Sequence, residues 1–331
     1  MYFYNNFSNV DSYLGNAGLE NTNTILWHTF HQKYWTYDEL INTPQWKTAD
    51  RIFLVGQEGD IDHMINLDSR IHVWDSLVKP GTDRFYSYFW WWWQTVQVDH
   101  HQQLINRLTN PLLSNPAYVF DCIMGSDRSH RDYIHNLITT DQDTKKCCLV
   151  AYKDKWVSGV DADSEQNLTK FKTAPGYNNL FGNLAGTLMP FNGLQTANIA
   201  TWIPWKVYNQ SWFSIVAETS YQRNFFTEKT AKAILAKKMF VYIGAMGALQ
   251  DLRHLGFKTF DCVMDESYDT ESDDHKRWDM AFEQIRLVCS QKPEDIYQKL
   301  LPILEHNQQL MLKRNWHEQA SSEMRKIVHG S

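Results

Sequence analysis

The chain has 331 residues, of which 43 % are hydrophobic and 21 % are charged, and its formal net charge is −6. This composition is typical of globular proteins, and the length predicts two domains of ordinary size. The negative charge excludes a globally basic surface of the kind that binds nucleic acid, but it does not exclude a local basic patch. No apolar run reaches the ~18 residues of a membrane span, and the first residues lack a signal-peptide pattern, so we expect a cytoplasmic protein.

Residues 1–115 are interpreted as a first α/β domain. Residues 51–55 and 71–74 are apolar runs that predict buried strands. Residues 85–110, with the aromatic segment at their start, are predicted to form a helix. Its apolar face is expected in a core, and an acceptor-stacking surface is the alternative. The turn-rich residues 111–116 mark the expected domain boundary.

Residues 116–290 are interpreted as a second domain. Strands are predicted at 117–124, 146–152, 213–217, 239–243 and 259–263, with helices after most of them. This alternation predicts βαβ units and a parallel sheet, hence an α/β fold. The acidic run 265–274 is interpreted as a solvated turn. Residues 291–331 are mostly helical by pattern and are expected to pack back on the first domain.

A basic cluster follows the strand predicted at 117–124. Arg128, His130 and Arg131 stand where a turn leads into a helix. Helix starts bind anions through their free N–H groups, and arginine holds phosphate oxygens in a fixed geometry. The cluster therefore predicts an anion site, and a solvated basic turn is the alternative.

Polar residues follow the strand predicted at 213–217 and open the next helix. Thr227 stands at an N-cap position, Glu228 falls in the first turn, and Lys229 comes next. Ligands of parallel sheets bind beyond the carboxyl ends of the strands, where Glu218 also lies. A lysine suits phosphate and a carboxylate suits ribose hydroxyls, so a nucleotide or nucleotide-sugar site is predicted. The alternative is an ordinary helix carboxylate beside a solvated lysine.

The stretch AETSYQRNFFTEKTAKAIL, followed by FVYIG, resembles the donor-binding signature of the α1,3-fucosyltransferase family. Segments around it and around the basic cluster also resemble exostosin-like and bacteriophage proteins. The resemblance implies two Rossmann-like domains with an interdomain cleft. It also implies that Glu228 holds the donor ribose and Lys229 a phosphate oxygen. Glu218 and Ser220 match the acidic residue and serine upstream, whereas Thr219 replaces the usual asparagine.

A glycosyltransferase must stabilise a departing nucleoside diphosphate, with a metal ion or with basic side chains. Candidate Asp-x-Asp pairs for a metal ion are Asp60/Asp62 and Asp161/Asp163. The arginines and Lys229 favour the route without metal. An inverting enzyme also needs a general base, and we expect it among Glu58, Asp60 and Asp62, in the loop after the first strand.

These patterns together predict a nucleotide-sugar-dependent glycosyltransferase. We expect no metal and no cofactor beyond the nucleotide-sugar co-substrate, with a glycan as acceptor. The first alternative is a phage-type enzyme that modifies hydroxymethylated DNA bases in the host cytoplasm. An alternative of another class is a non-catalytic protein that binds a sugar, a nucleotide or a host partner.

Overall fold

The chain is a mixed α/β protein with parallel sheets, as the strand and helix pattern predicts. The computed structural model describes residues 2–4, 23–29, 40–56, 67–75, 85–86, 116–125, 128–152, 155–158, 208, 210–222, 226–316, 318 and 322. Two compact units are present. The first comprises Met1–Trp93, Arg223–Phe225 and Asn315–Ser331, and the second comprises Gln94–Gln222 and Phe226–Arg314. Within the described residues, no helix is both long enough and apolar enough to cross a membrane.

The first unit contains a parallel five-stranded sheet. Its strands, in sheet order, are β1 (Tyr2–Tyr4), β2 (Thr24–Thr29), β3 (Arg51–Gly56), β4 (Ile71–Asp75) and β5 (Phe85–Tyr86). The strands predicted at 51–55 and 71–74 are confirmed. Ile52, Leu54 and Ile71 are buried, which is why these apolar runs form strands. Phe85 and Tyr86 form β5, so the helix predicted from residue 85 does not begin there, and residues 87–110 lie outside the described residues.

The second unit contains a second five-stranded sheet. Its strands are β6 (Tyr118–Met124), β7 (Cys148–Tyr152), β8 (Lys155–Ser158), β9 (Ser211–Ala217) and β10 (Phe240–Ile243). The order is β10-β9-β6-β7-β8, and only the β7–β8 pairing is antiparallel among these strands. From β6 the chain goes first to β7 on one side and later to β9 on the other. The strand order therefore reverses between β6 and β9, at a topological switch point.

Helices of the second unit connect and cover these strands. They are α1 (Ser129–Thr140), α2 (Gln142–Cys147), α3 (Glu228–Leu235), α4 (Ala248–His254), α5 (Asp274–Cys289) and α6 (Pro293–Lys313). In α3, Ala231, Ile234 and Leu235 are buried, as their predicted apolar face requires. Thr227 is the N-cap of α3, and its hydroxyl accepts a hydrogen bond from the N–H of Lys229 at 3.3 Å.

The prediction of a strand at 259–263 is wrong, because this segment forms a turn and irregular structure. The carboxylate of Glu266 holds it, accepting from the N–H of Phe260 at 2.6 Å. The outer edge of β10 is covered instead by the 3₁₀ turn Ser267–Thr270. There, the N–H of Tyr242 donates to the hydroxyl of Tyr268 at 3.3 Å.

The acidic run 265–274 is not a solvated turn, since several of its side chains are buried. Asp269 is 3 % exposed and accepts from the N–H groups of Leu249 and Gln250 at 3.0 and 3.1 Å. It thus caps the start of α4, whose N-cap residue is Gly247 and has no side chain to do so. Hydrophobic periodicity does not reveal a cap that comes from 20 residues away.

The C-terminal helix α6 packs inside the second unit, against α3 and β9. Its Gln308 side chain donates to the carbonyl of Leu235, the last residue of α3, at 2.6 Å. Leu300 and Leu304 of its apolar face are buried. These contacts are internal to the second unit, whereas Asn315–Ser331 belong to the first, and the packing of residues 291–331 on the first domain stays a prediction. An amphipathic face shows that a helix packs but not on which partner.

Candidate functional site

The buried carboxylate of Glu218 is the centre of the site. Glu218 directly follows β9 and is 0 % exposed. Its Oε1 accepts from the N–H of Thr227 at 2.9 Å and the hydroxyl of Thr230 at 2.6 Å. Its Oε2 accepts from the hydroxyl of Thr227 at 2.6 Å and the N–H of Thr219 at 3.2 Å. Two oxygens with two bonds each use the full acceptor capacity of a carboxylate.

This carboxylate occupies the anion position at the start of α3. A negative charge there is stabilised by the helix dipole and by the first N–H groups of the helix. Sequence reasoning expected a ligand phosphate at this position. The structure places a protein carboxylate there, so Glu218 organises the loop from within.

Lys229 and Glu228 form an ion pair on the same turn. The Lys229 ammonium lies 2.9 Å from Glu228 Oε1 and also donates to the hydroxyls of Thr219 and Thr227, at 3.2 and 3.1 Å. Burial opposes ionisation of Glu228, but the charges of Lys229 and Lys232 outweigh it and hold the pKa of Glu228 below its usual value. Burial lowers the pKa of Lys232 to about 8. This turn of α3 therefore keeps a carboxylate ionised between two amines.

The side chains of His130 and Arg131, in α1, form hydrogen bonds with the backbone of Glu218. The carbonyl oxygen of Glu218 accepts from Nε2 of His130 at 2.7 Å and from the guanidinium of Arg131 at 2.9 Å. Burial, assisted by neighbouring positive charges, lowers the pKa of His130 to about 4. The imidazole is therefore neutral at pH 7, and because a carbonyl only accepts, its proton lies on Nε2. These bonds tie the chain after β6 to the chain after β9.

The start of α1 lies beside this junction. Arg128 is its N-cap residue and is exposed, and the Arg128 side chain makes no cap hydrogen bond. At Gly125, which follows β6, an added Cβ would meet no atom within 4 Å, so space is open there. The N–H groups of a first helical turn attract anions, and Arg128 adds a full positive charge.

The structure thus brings together most of the residues predicted to bind a donor. Arg128, His130, Arg131, Glu218, Thr227, Glu228 and Lys229 all lie at the carboxyl ends of β6 and β9, and Ser220 is half-buried in the loop two residues after Glu218. Glu58, Asp60 and Asp62, the predicted catalytic residues, lie outside the described residues, as do Asp161 and Asp163. In the part of the chain that is described, no three His, Cys, Asp or Glu side chains are arranged to hold a metal ion.

Sequence reasoning missed Thr230, which donates to Glu218 from inside α3. The signal was available, because a hydroxyl three residues after an N-cap threonine can face the same acceptor. It also missed Tyr221 and Trp278, whose ring centroids lie 5.2 Å apart beside His130. No local pattern links these two aromatic residues, since they are 57 positions apart in the sequence.

Comparison of the chain with protein-family models, with curated proteins and with solved structures finds no match. A function for this chain is therefore inferred from the geometry and chemistry of the site itself.

Proposed function

We propose that this chain is a nucleotide-sugar-dependent glycosyltransferase whose second unit binds the donor. The observation that carries the proposal is the start of α1 at the switch point between β6 and β9, with Arg128 at its N-cap. Doubly wound sheets bind nucleotides at such points, with phosphate at the first helix start. Numbered from β6, the strands have the order 5-4-1-2-3, which is the Rossmann order 3-2-1-4-5 read from the other side, except that β8 runs antiparallel to its neighbour.

The donor diphosphate lies at the start of α1 in this proposal. Arg128 contacts it, and Arg131, 2 % exposed, holds the Glu218 carbonyl that shapes the opposite wall. Glu228 accepts from ribose hydroxyls, and Lys229 neutralises a phosphate oxygen. Because arginine keeps its proton, these cations stabilise the departing diphosphate without a metal ion. Glu58, Asp60 and Asp62 stay the predicted source of a general base.

The test is a thermal-shift titration with nucleoside diphosphates and their sugar conjugates. We expect one nucleotide family to raise the melting temperature of the wild type, with or without a chelator. Arg128→Ala should weaken that binding about tenfold or more, because a charge-assisted contact is lost. Arg286→Ala is the matched control, since Arg286 is a half-exposed arginine of the same unit that pairs with Glu283.

Absence of any nucleotide-dependent shift would overturn the proposal, and a shift that needs a divalent metal would overturn its metal-free mechanism. Release of free nucleoside diphosphate then separates an enzyme from a non-catalytic binding protein. Glycans and hydroxymethylated duplex DNA, offered in parallel as acceptors, decide between the glycan and DNA alternatives.

A further inference from the structure

Five aromatic rings from three segments lie together beside the start of α1. Trp278 of α5 is central, with ring centroids of His275, Tyr221, Tyr133 and His130 at 5.0, 5.2, 5.4 and 6.2 Å. His130 also lies 5.3 Å from Tyr221, and Tyr133 lies 4.8 Å from His275. We name this group the Trp278 cluster. Its inner members Trp278 and His130 are buried, while Tyr133 and Tyr221 are half-buried and His275 is exposed.

Two buried polar atoms of the cluster have no hydrogen-bond partner among the described residues, Nδ1 of His130 and Nε1 of Trp278. His130 Nδ1 is an acceptor, because its Nε2 donates to the Glu218 carbonyl, and an indole N–H is a donor only. An unsatisfied buried polar atom costs free energy of folding. Two such atoms in one cluster therefore suggest that a bound molecule forms hydrogen bonds with them. A ligand that satisfies both atoms must offer a donor to His130 Nδ1 and an acceptor to Trp278 Nε1.

We propose that the Trp278 cluster binds the base of a nucleotide, an inference that rests on the phosphate site of the proposed function. His130 is two residues from Arg128, which the phosphates would contact, and Tyr221 is three residues from Glu218, whose carbonyl accepts from His130 and Arg131. The cluster is therefore adjacent to the proposed phosphate site. A nucleobase offers an aromatic face together with neighbouring donors and acceptors on its edge. A water molecule or a sugar hydroxyl satisfies polar atoms but has no aromatic face to stack on rings.

The decisive experiment compares nucleoside diphosphates with inorganic pyrophosphate by calorimetric titration of the full chain. The probes are ADP, GDP, UDP and CDP. We expect at least one to bind the wild type about tenfold more tightly than pyrophosphate, because the base adds contacts. Trp278→Phe keeps an aromatic ring but removes the N–H donor. It should weaken binding of the nucleoside diphosphates about fivefold to tenfold and leave the affinity for pyrophosphate unchanged.

Trp212→Phe is the matched control. Trp212 is a buried tryptophan at the other end of β9, 5.8 Å from the ring of Tyr297, and its change should leave both affinities unchanged. Tyr221→Ala, at a half-buried loop position, tests the stacking surface if Trp278→Phe fails to fold. It should weaken only the ligands that carry a base.

Three results would overturn the inference while the phosphate site stands. First, nucleoside diphosphates could bind no more tightly than pyrophosphate. Second, Trp278→Phe could lower the affinity for both ligand types equally. Third, Tyr221→Ala could leave the affinity for nucleotides unchanged. If neither pyrophosphate nor any nucleotide binds the wild type, the proposed function fails, and the base site fails with it.

Discussion

At the scale of single residues, Glu218 shows how one carboxylate can organise two loops. Its side chain fixes the start of α3, and its carbonyl receives two donors from α1. A residue that uses all its polar groups inside the protein cannot also bind a ligand without losing some of them. Its contribution to the site is therefore the position of its neighbours.

Glu218→Gln should destabilise the fold strongly. The amide nitrogen would face the backbone N–H of either Thr227 or Thr219, neither of which can accept, so one bond becomes a donor–donor contact. Bonds to a buried charge are worth more than neutral ones, and we expect a loss of about 2–4 kcal/mol in the free energy of unfolding by urea denaturation. Thr230→Val, which removes one hydroxyl and keeps the shape, should cost about 1 kcal/mol. If both variants unfolded at the same midpoint urea concentration as the wild type, this role of Glu218 would be contradicted.

His130 should make the fold sensitive to acid. Its pKa in the folded chain is lowered from 6.5 to about 4, so the unfolded chain binds the proton more readily. Stability contributed by neutral His130 is present above pH 6.5 and is lost as the pH falls toward 4. The loss amounts to about 3 kcal/mol at the lower end.

His130→Gln keeps a donor for the Glu218 carbonyl but does not titrate. Urea unfolding of both proteins between pH 7 and pH 4 measures the difference. The wild type should lose stability more steeply than the variant. Equal pH dependence would show that His130 does not contribute in this way.

At the scale of elements, α3 ends in a conformation that its sequence does not favour. Lys237 follows its C-cap with φ +52°, and the N–H groups of Lys238 and Lys237 donate to the carbonyls of Ala233 and Ile234, at 2.9 and 3.1 Å. This is the Schellman pattern, in which glycine is the usual residue. A side chain in this left-handed region is strained by its Cβ.

Lys237→Gly should therefore raise the free energy of unfolding by about 0.5–1 kcal/mol. Lys237→Ala is the control, because it removes the same ion pair with Glu305 but keeps a Cβ in the strained conformation. The thermal melting temperature should be higher for the glycine variant than for the alanine variant. The reverse order would show that strain at this position is not the dominant effect.

The second sheet also contains a buried ion pair that no local pattern predicts. Lys238, just before β10, lies 2.5 Å from Asp121 of β6, and both side chains are 3 % exposed. The hydroxyls of Ser211 and Ser214 donate to the same oxygen of Asp121, at 2.6 and 3.1 Å. The Lys238 ammonium also donates to the carbonyl oxygens of Tyr208 and Ser211, both at 2.9 Å, so hydrogen bonds offset part of the cost of burying this pair. It links three neighbouring strands away from the candidate site, since Ser211 begins β9 while Glu218 follows its end.

At the scale of the whole molecule, sequence reasoning worked best where strands and helices alternate. Apolar runs predicted β6, β9 and β10, and the N-cap at Thr227 predicted the start of α3. These signals are local, because period, caps and burial act within one element. The same locality explains why most of the predicted donor-site residues lie together, since parallel strands bring their carboxyl ends to one edge.

The rest depended on contacts between distant segments. The segment 259–263 has the composition of a strand but is held as a turn by Glu266. Gly247 offers no cap, so Asp269 supplies one. The stretch resembling a donor signature did not reveal that Glu218 is fully engaged by protein donors. Such outcomes depend on which buried polar groups need partners, and this is fixed only by the tertiary structure.

The covering of β10 by the 3₁₀ turn has a consequence for solubility. β10 is the outermost strand on its side of the sheet, and its four residues, from Phe240 to Ile243, are all buried. An uncovered strand of this kind would pair with another chain and promote aggregation. The outward-facing N–H of Tyr242 already donates to the Tyr268 hydroxyl. A strand from another chain therefore cannot form a hydrogen bond with this N–H. We therefore expect the 3₁₀ turn to oppose self-association through this edge of the sheet.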